Sequence, residues 1–293
     1  KPRICKHMTG ERNYHVFYML CKAERAIRDP VGIGSWETYH ICKQEGTVAE
    51  VTSWDDDKEF ADMHAAMLSL GFSEEDRSCA YLLLSVCLQL GNVEFAAAGH
   101  GGSAVKDLHG PGFKACSKML QVEPELLQSA MTEKTVVFAG EATKKPLEPK
   151  QALVARNALT MHLYSLVFDW CVDVINRYVA SSGAYVCCGI LDIFGFENFS
   201  LNSFPQLCIN FTNESLHNLF IEHVFKLEQE VYIAEEVEWS FVSYEDNQPV
   251  LDLISKRPHC ILGLLDECSQ VRAICWNPRA YRPTQKAADS QHL

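Results

Sequence analysis

Residues 185–199 read YVCCGILDIFGFENF, and this stretch decides the fold. Its first part, 185–191, is an almost unbroken apolar run, which is typical of a strand buried on both faces of a sheet. Asp192 ends the run, and Gly195 follows within a turn. Ligands of open α/β sheets bind beyond the carboxyl ends of the strands, where a glycine lets a backbone N–H approach a phosphate. The pattern is compatible with a phosphate-binding loop, but by itself it favours a simple turn, because Asp follows many strands as a turn residue.

Helical periodicity predicts that most of the remaining chain is helical. The longest predicted helix covers 204–238, which corresponds to roughly 45 Å or more at a rise of 1.5 Å per residue. Ser73 to Asp76 form a predicted N-cap for a helix that ends at Gly91, and another long helix begins near Leu153. We expect a loop at 96–112 and an irregular stretch at 134–151, in which residues 135–138 are strand-like. Further helices are expected at 11–28, 60–70 and 113–131, and 246–268 is expected to form either a helix pair or a helix and a loop.

Composition excludes several classes of protein. The chain has 293 residues, of which 47% are hydrophobic, and a formal net charge of −12. The apolar content suffices for a folded core, and the excess of acidic residues argues against a nucleic-acid partner. No apolar run approaches the roughly 18 residues of a membrane span, and residues 1–7 lack the apolar core of a signal peptide. The 13 cysteines, an odd number without CxxC spacing, favour free thiols in a reducing, cytoplasmic compartment.

Five blocks, in order along the chain, resemble the motor domain of the myosin family. Residues 192–199, DIFGFENF, are similar to its switch II signature, and 202–230 contain NSF, QLCIN, TNE and LEQE, as its relay helix does. The other blocks are ERNYHVFY at 11–18, LGNVEF at 90–95, and DNQP followed by DLI at 246–254. The resemblance covers about 1–268. It implies an α/β fold, a mostly helical fragment of the myosin-type P-loop NTPase motor with at least one central buried sheet strand.

The resemblance implies a role for each matching residue of switch II. Asp192 is expected in the outer shell of the Mg²⁺ ion that accompanies ATP, and the Gly195 N–H is expected to bond the γ-phosphate. Glu197 is expected to pair with an arginine of switch I and to help position the attacking water. The implied activity is actin-activated ATP hydrolysis coupled to movement along actin filaments, with ATP and Mg²⁺ as cofactors.

Two segments align with actin contacts of the family. The basic stretch 134–151 aligns with an actin-contacting loop, although its composition alone is more typical of a solvated loop. Residues 259–268 align with the first helix of the lower actin-binding region. The candidate actin-binding residues are Lys134, Lys144, Lys145, Lys150, His259 and Leu264. We expect a cytoplasmic, cytoskeletal location, and light chains that bind only through regions outside this sequence.

The resemblance also divides the chain into regions. We expect an upper-cleft helical region at 1–183, the switch II strand and loop at 184–199, the relay helix at 200–240, the start of the lower-cleft actin-binding region at 241–268 and a divergent tail at 269–293. The tail is polar and basic and looks unlike the family, so we expect an alternative splice end or an imperfect gene model there.

The sequence contains no GxxxxGK[ST] phosphate loop and no segment similar to switch I. We therefore expect negligible ATPase activity from this chain alone. The alternative function is a non-catalytic actin- or myosin-interacting fragment. A protein kinase is a third interpretation, because 192–195 vaguely resembles an Asp-Phe-Gly motif. The inserted Ile193 and the absence of a His-Arg-Asp catalytic loop disfavour it.

Overall fold

A computed structural model describes residues 2–138, 141–180, 186, 188–193 and 195–274. The chain divides into two compact units, Lys1–Tyr185 and Val186–Leu293.

The first unit is mostly helical. Its helices are α1 (His15–Lys22), α2 (Arg25–Arg28), α3 (Asp56–Ser69), α4 (Glu74–Gly91), α5 (Pro111–Leu120), α6 (Pro124–Thr132) and α7 (Pro149–Val179). Its strands are β1 (Phe95–Ala98), β2 (Gly102–Val105), β3 (Glu133–Phe138) and β4 (Glu141–Pro146). These strands form two antiparallel hairpins, β1 with β2 and β3 with β4. Short 3₁₀ turns occupy Pro2–Ile4, Trp36–Thr38 and Gly99–Gly101.

The predicted start of α4 is confirmed. The Asp76 N–H donates to Ser73 Oγ at 3.0 Å, and the Ser73 N–H donates to Asp76 Oδ2 at 3.0 Å. This reciprocal capping box satisfies two backbone donors that the first helical turn leaves without partners. The preceding helix ends before Gly71, whose φ of +81° is the left-handed conformation that glycine adopts without strain.

The core of the first unit consists of two hydrophobic clusters, and α4 contributes to both. One cluster packs Phe17 and Tyr18 of α1 against Leu88 of α4. The other packs Leu90 of α4 against Phe113 of α5 and residues of α6. Helix α7 lies against α4 and α6. Helices α1, α4, α5 and α6 bury apolar positions as the periodicity in the sequence predicts, whereas α7 leaves Leu153, Leu166 and Phe168 exposed.

Two local predictions for this unit are wrong, and a third is confirmed in part. The predicted loop 96–112 contains the β1–β2 hairpin, in which Phe95 pairs with Val105. The stretch 134–151 is largely the β3–β4 hairpin rather than irregular, and its strand-like residues 135–138 lie in β3 as expected. The predicted helix 113–131 is two helices, because Gln121 adopts a left-handed φ of 55° and Pro124 begins a new helix. A proline disfavours helical geometry in the residue before it, so the break could have been read from Pro124.

Helix α7 has the length and composition of a membrane-spanning helix. A single such helix is weak support for a span, because the core helix of a globular domain passes the same test. In this structure α7 packs on α4 and α6 and buries Ala152, Thr160 and Val167.

The second unit is built around one long helical path. This path comprises α8 (Phe204–Phe220), a π-helical segment (Ile221–Leu227) and α9 (Glu228–Ala234), and it is followed by α10 (Gln248–Ser255) and α11 (Ile261–Ile274). The predicted helix at 204–238 is therefore confirmed in position but ends earlier. Glu236 has a left-handed φ of 52°, and the Val237 N–H donates to the Tyr232 carbonyl at 2.9 Å. This bonding pattern is a Schellman motif, which closes the helix.

The predicted buried strand at 185–191 is not found in the described part of that segment. Residues 186 and 188–191 are in no strand, and Val186 and Ile190 are 99% and 95% exposed. Tyr185 and Cys187 lie outside the described residues. A central strand is buried only when neighbouring strands pair with it. The four described strands pair only within their own hairpins. The described chain is thus predominantly helical, with two small antiparallel sheets.

Candidate functional site

The loop 195–199 is hydrogen-bonded to the first turns of α8. Gln206, Asn210 and Asn213 provide these contacts, at spacings of four and three residues. Residues at such spacings lie on one face of a helix. Helix α8 therefore presents a row of three amide side chains to the loop.

Asn210 and Asn213 hold backbone groups of the loop. The Asn210 Oδ1 accepts from the Glu197 N–H at 2.7 Å, and its Nδ2 donates to the Glu197 carbonyl at 2.7 Å. The Asn213 Nδ2 donates to the Gly195 carbonyl at 2.6 Å and to the carbonyl of Ile209 at 2.9 Å. The backbone of the loop is thus held to α8 by hydrogen bonds from two asparagine side chains.

Gln206 joins the helix start to the acidic side chain of the loop. It is 2% exposed, and its Oε1 accepts from the Ser203 N–H at 2.8 Å and from Ser203 Oγ at 2.6 Å. Its Nε2 lies 3.4 Å from Glu197 Oε2. One buried amide therefore caps α8 and orients the Glu197 carboxylate. Pro205, in the first turn after the cap, fits there because no intrahelical bond needs its missing N–H.

Gly195 is the one glycine of the described loop residues, and its backbone requires it. Its φ is +74°, while a Cβ added to it would meet no atom within 4 Å. A larger residue would be strained by conformation rather than by collision. Asp192 is exposed and lies outside regular structure, and Phe194 is outside the described residues. The structure therefore holds the backbone of Gly195 and Glu197 against α8. Asp192 stays exposed.

Polar contacts continue along the same helical path. The Asn247 Nδ2 donates to the Glu214 carbonyl at 3.0 Å and to its carboxylate at 2.6 Å, which attaches the start of α10 to α8. Further along, Gln229 exchanges two hydrogen bonds with the backbone of Val242. The helical path thus contacts the loop near one end and the segment 237–245 near the other.

No functional role could be assigned to Gln206, Asn210 or Asn213 from the sequence. A signal was nevertheless present, because uncharged amides at helical spacing within an apolar helix form a polar row that needs a partner. The partner itself could not be identified from spacing, because Asn213 binds Gly195, which lies 18 residues earlier in the sequence.

The candidate lysines of the first unit lie on and beside the β3–β4 hairpin. Lys134 and Lys145 are directly opposed in the register, so both side chains leave the same face of the hairpin. Lys144 is paired instead with Glu133, at 3.0 Å from Nζ to Oε2. Hydrogen bonds from Ser129 and Lys144 lower the pKa of the Glu133 carboxyl. Lys150 is exposed in the first turn of α7.

The two remaining candidates belong to the second unit. His259 is exposed in the turn before α11, and Leu264 on α11 is 56% exposed. Between them Cys260 is buried and caps the helix, with its Sγ accepting from the Gly263 N–H at 3.3 Å. His259 and Leu264 are therefore surface residues on a helix whose start is fixed by a buried thiol.

Metal-ligating groups are sparse in the described residues, which contain no cluster of three or more His, Cys, Asp or Glu side chains arranged to hold an ion. Mg²⁺ often retains several waters and uses one or two carboxylates together with substrate phosphates. A single exposed carboxylate such as Asp192 fits that kind of site and does not fit a cage built from protein ligands alone.

Comparison with known proteins identifies the family. The family model described as "Myosin head (motor domain)" matches residues 1–280. Similar proteins include myosin-17 and myosin-11 of Arabidopsis thaliana, with 37% and 38% identity over 91% of this chain. Unconventional myosin-VIIb of Mus musculus is 37% identical over 92% of the chain.

The match also locates the chain within longer proteins. It covers 18% of the two plant myosins and 13% of the mouse myosin. The family match continues past Cys268 to residue 280, so it includes part of the segment expected to be divergent. Helix α11 likewise runs through Cys268 to Ile274. The resemblance inferred from five blocks of sequence is confirmed, and this chain is a member of the myosin head (motor domain) family.

Proposed function

We propose that this chain is the part of an actin-based motor that links the nucleotide-responsive loop 192–199 to the helical path 204–234. The observation that carries the proposal is the binding of loop peptides by Asn210 and Asn213 on α8. Because these bonds join main chain to helix side chains, the loop cannot move without breaking them or displacing α8. A displacement of α8 is passed on to α10 and to 237–245 through Asn247 and Gln229.

In this proposal the loop residues recognise and act on ATP. The Gly195 N–H binds the terminal phosphate, and Asp192 holds a water of the Mg²⁺ ion. Glu197, oriented by Gln206, positions the attacking water. Bound Mg²⁺ neutralises charge on the phosphates. Fixed hydrogen-bonding groups of this kind lower the barrier to hydrolysis because they need no rearrangement during the reaction.

The proposed actin contacts are the exposed lysines of the β3–β4 hairpin, with Lys150, His259 and Leu264. A hairpin that places two lysines on one face suits an acidic partner, and this is notable in a chain with a net charge of −12. We propose a cytoplasmic, cytoskeletal location because the chain belongs to the myosin head family. Light chains would bind elsewhere in the motor.

Turnover in a motor head that includes these residues tests the proposal. Replacement of Glu197 by Gln removes the carboxylate, and we expect actin-activated ATP turnover to fall by about 10²–10³-fold, the typical cost of losing one preorganised catalytic group. Glu222→Gln, on the π-helical segment of the same path, is the matched control and is expected to retain turnover. Unchanged turnover in Glu197→Gln would refute the assignment.

The alternative, a non-catalytic actin-binding fragment, predicts a different result. Such a fragment would cosediment with actin filaments in a salt-dependent way, with no effect of Mg-ATP, and Glu197→Gln would change nothing. No contact in the described residues favours this alternative over the motor, because the lysines of the hairpin serve both equally.

A further inference from the structure

A small cavity in the unit Lys1–Tyr185 shares no residue with the sites described above. It has a volume of about 160 Å³ and is bounded by residues of α1, α3, α4 and α7. Met63 and Met67 form one side of the wall, Leu84 and Tyr81 another, and Tyr164 and Cys171 of α7 a third.

The wall of this cavity is apolar and uncharged, and it contains no Asp, Glu, Lys, Arg or His side chain. The Tyr81 hydroxyl already has partners, since it lies 2.9 Å from His64 Nδ1 and 3.6 Å from Met67 Sδ. Burial raises the pKa of Tyr81 and of Tyr164 to about 12 and also raises the pKa of the Cys171 thiol. All three groups therefore stay neutral near physiological pH.

The size and chemistry of the cavity specify its occupant. The cavity opens to solvent at Phe168, which is 49% exposed, but water inside it finds few hydrogen-bond partners. A molecule of the volume of benzene matches its space of about 160 Å³ and would displace that water. The atoms that line such a void also lack dispersion contacts on one side, which an apolar ligand restores. Two methionines, one turn apart on α3, allow the wall to adapt to the shape of a ring.

We propose that this cavity is a binding site for a small, uncharged, apolar molecule of the size of one aromatic ring. The ligand would contact α3 and α4 on one side and α7 on the other, and would stabilise the packing of these helices by mass action.

The cavity carries its own reporter, because Cys171 lines it with a free, half-buried thiol. The probe is benzene, added to the 293-residue chain during reaction with iodoacetamide, and modification of each cysteine is followed by peptide mass spectrometry. A benzene concentration ten times its dissociation constant leaves about one site in eleven empty. We therefore expect modification of Cys171 to slow by about tenfold. Cys79, exposed on α4 and outside the cavity wall, is the internal control and should react at an unchanged rate.

Variants of the wall test the location. Ala80→Leu fills the cavity, since Ala80 is 3% exposed and lines it, and should abolish protection of Cys171 by benzene. Ala66→Leu, exposed on α3, adds the same side chain elsewhere and should leave protection intact. If circular dichroism shows that Ala80→Leu does not fold, Met63→Ala provides the test. That variant enlarges the cavity and should let naphthalene protect Cys171, which it does not do in the unmodified chain.

Three results would overturn the proposal. The first is an unchanged rate of Cys171 modification in the parent chain up to the solubility limit of benzene. The second is equal slowing of Cys171 and Cys79, which would reflect a general effect on the chain. The third is protection that persists in a folded Ala80→Leu variant.

Discussion

Asn210 binds both sides of one residue of the loop: its Oδ1 accepts from the Glu197 N–H and its Nδ2 donates to the Glu197 carbonyl, each at 2.7 Å. A single amide side chain thus fixes the peptide groups that flank Glu197. Since Asn210 is in the interior of α8, this pair ties the position of a proposed catalytic carboxylate to the position of a helix.

Replacing Asn210 by alanine should release the loop. Two partly buried hydrogen bonds are lost, each with a net value of about 0.5–1.5 kcal/mol. We expect hydrogen exchange of the Glu197 amide to accelerate by about tenfold or more, because its acceptor is removed. Asn198→Ala, at an exposed position of the same loop, is the control. Equal exchange in the two variants would contradict the assigned role of Asn210.

Gly195→Ala should strain the loop without creating a collision. The φ of +74° costs a residue with a Cβ about 1–2 kcal/mol, whereas the space around the Cβ position is open. Exchange of the loop amides should therefore rise by about five- to thirtyfold. Gly189→Ala is matched to it, because Gly189 also has open space but no positive φ. If both alanines have the same effect, conformation is not the reason for the glycine.

Arg156 should be important for stability of the first unit. Its guanidinium is buried and donates to the carbonyls of Gly91 and Val93 at 3.0 and 2.8 Å, just where α4 ends. In Arg156→Met both carbonyls lose a donor, and we expect urea unfolding to show a loss of about 2–4 kcal/mol. Arg156→Lys should lose less, because a single ammonium keeps the charge. Lys150→Met, exposed on the same helix, should change the unfolding free energy little.

Much of the helical architecture could be predicted because its causes are local. Ser73 and Asp76 are three residues apart, and this spacing alone specifies a capping box. In the same way Gly71 marked the end of α3. The periodicity of 204–238 indicated a long helix, and only its last residues were wrong, because Glu236 adopts a left-handed conformation that its side chain does not predict.

Other failures have long-range causes. The apolar run 185–191 was interpreted as a buried strand, but burial depends on neighbouring strands and cannot be specified by the run itself. In the candidate site, Gly195 and Glu197 could be proposed from the resemblance. The contacts that hold them come from Asn210 and Asn213 on α8, which lie 13 and 18 residues further along the chain than the residues they bind. Resemblance therefore suggested the residues proposed to act on the nucleotide, and only the structure revealed the helix residues that hold them.

Acid should destabilise the first unit through His64. Burial lowers the pKa of His64, and the positive charge of Arg77, whose Nη1 lies 3.1 Å from His64 Nε2, lowers it further. A histidine with a lowered folded pKa takes up protons more readily when unfolded, so stability falls as the pH drops below about 6.5. Arg77→Gln should raise the pKa of His64 and weaken this dependence. NMR titration of the ring measures it, and a pKa at or above the ordinary value in the parent chain would contradict the prediction.

Charge reversal on the β3–β4 hairpin should weaken actin binding. Lys134 and Lys145 share one face, so the double change Lys134→Glu and Lys145→Glu removes a paired positive patch. We expect cosedimentation with actin filaments to decrease several-fold and its salt dependence to diminish. Lys114→Glu with Lys118→Glu, both exposed on α5, alters the net charge equally and serves as the control. Equal loss in the two double variants would indicate a net-charge effect rather than a contact.

The central claim is that bonds from α8 to the loop transmit the state of the nucleotide. The most direct test compares the actin-activated ATPase with the velocity of filament gliding for Asn210→Ala in a motor head that includes these residues. We predict that gliding velocity falls by a larger factor than ATP turnover, because the released loop holds Glu197 less firmly and, in addition, no longer displaces the helix. Unchanged gliding, or a parallel loss of both activities, would contradict the claim.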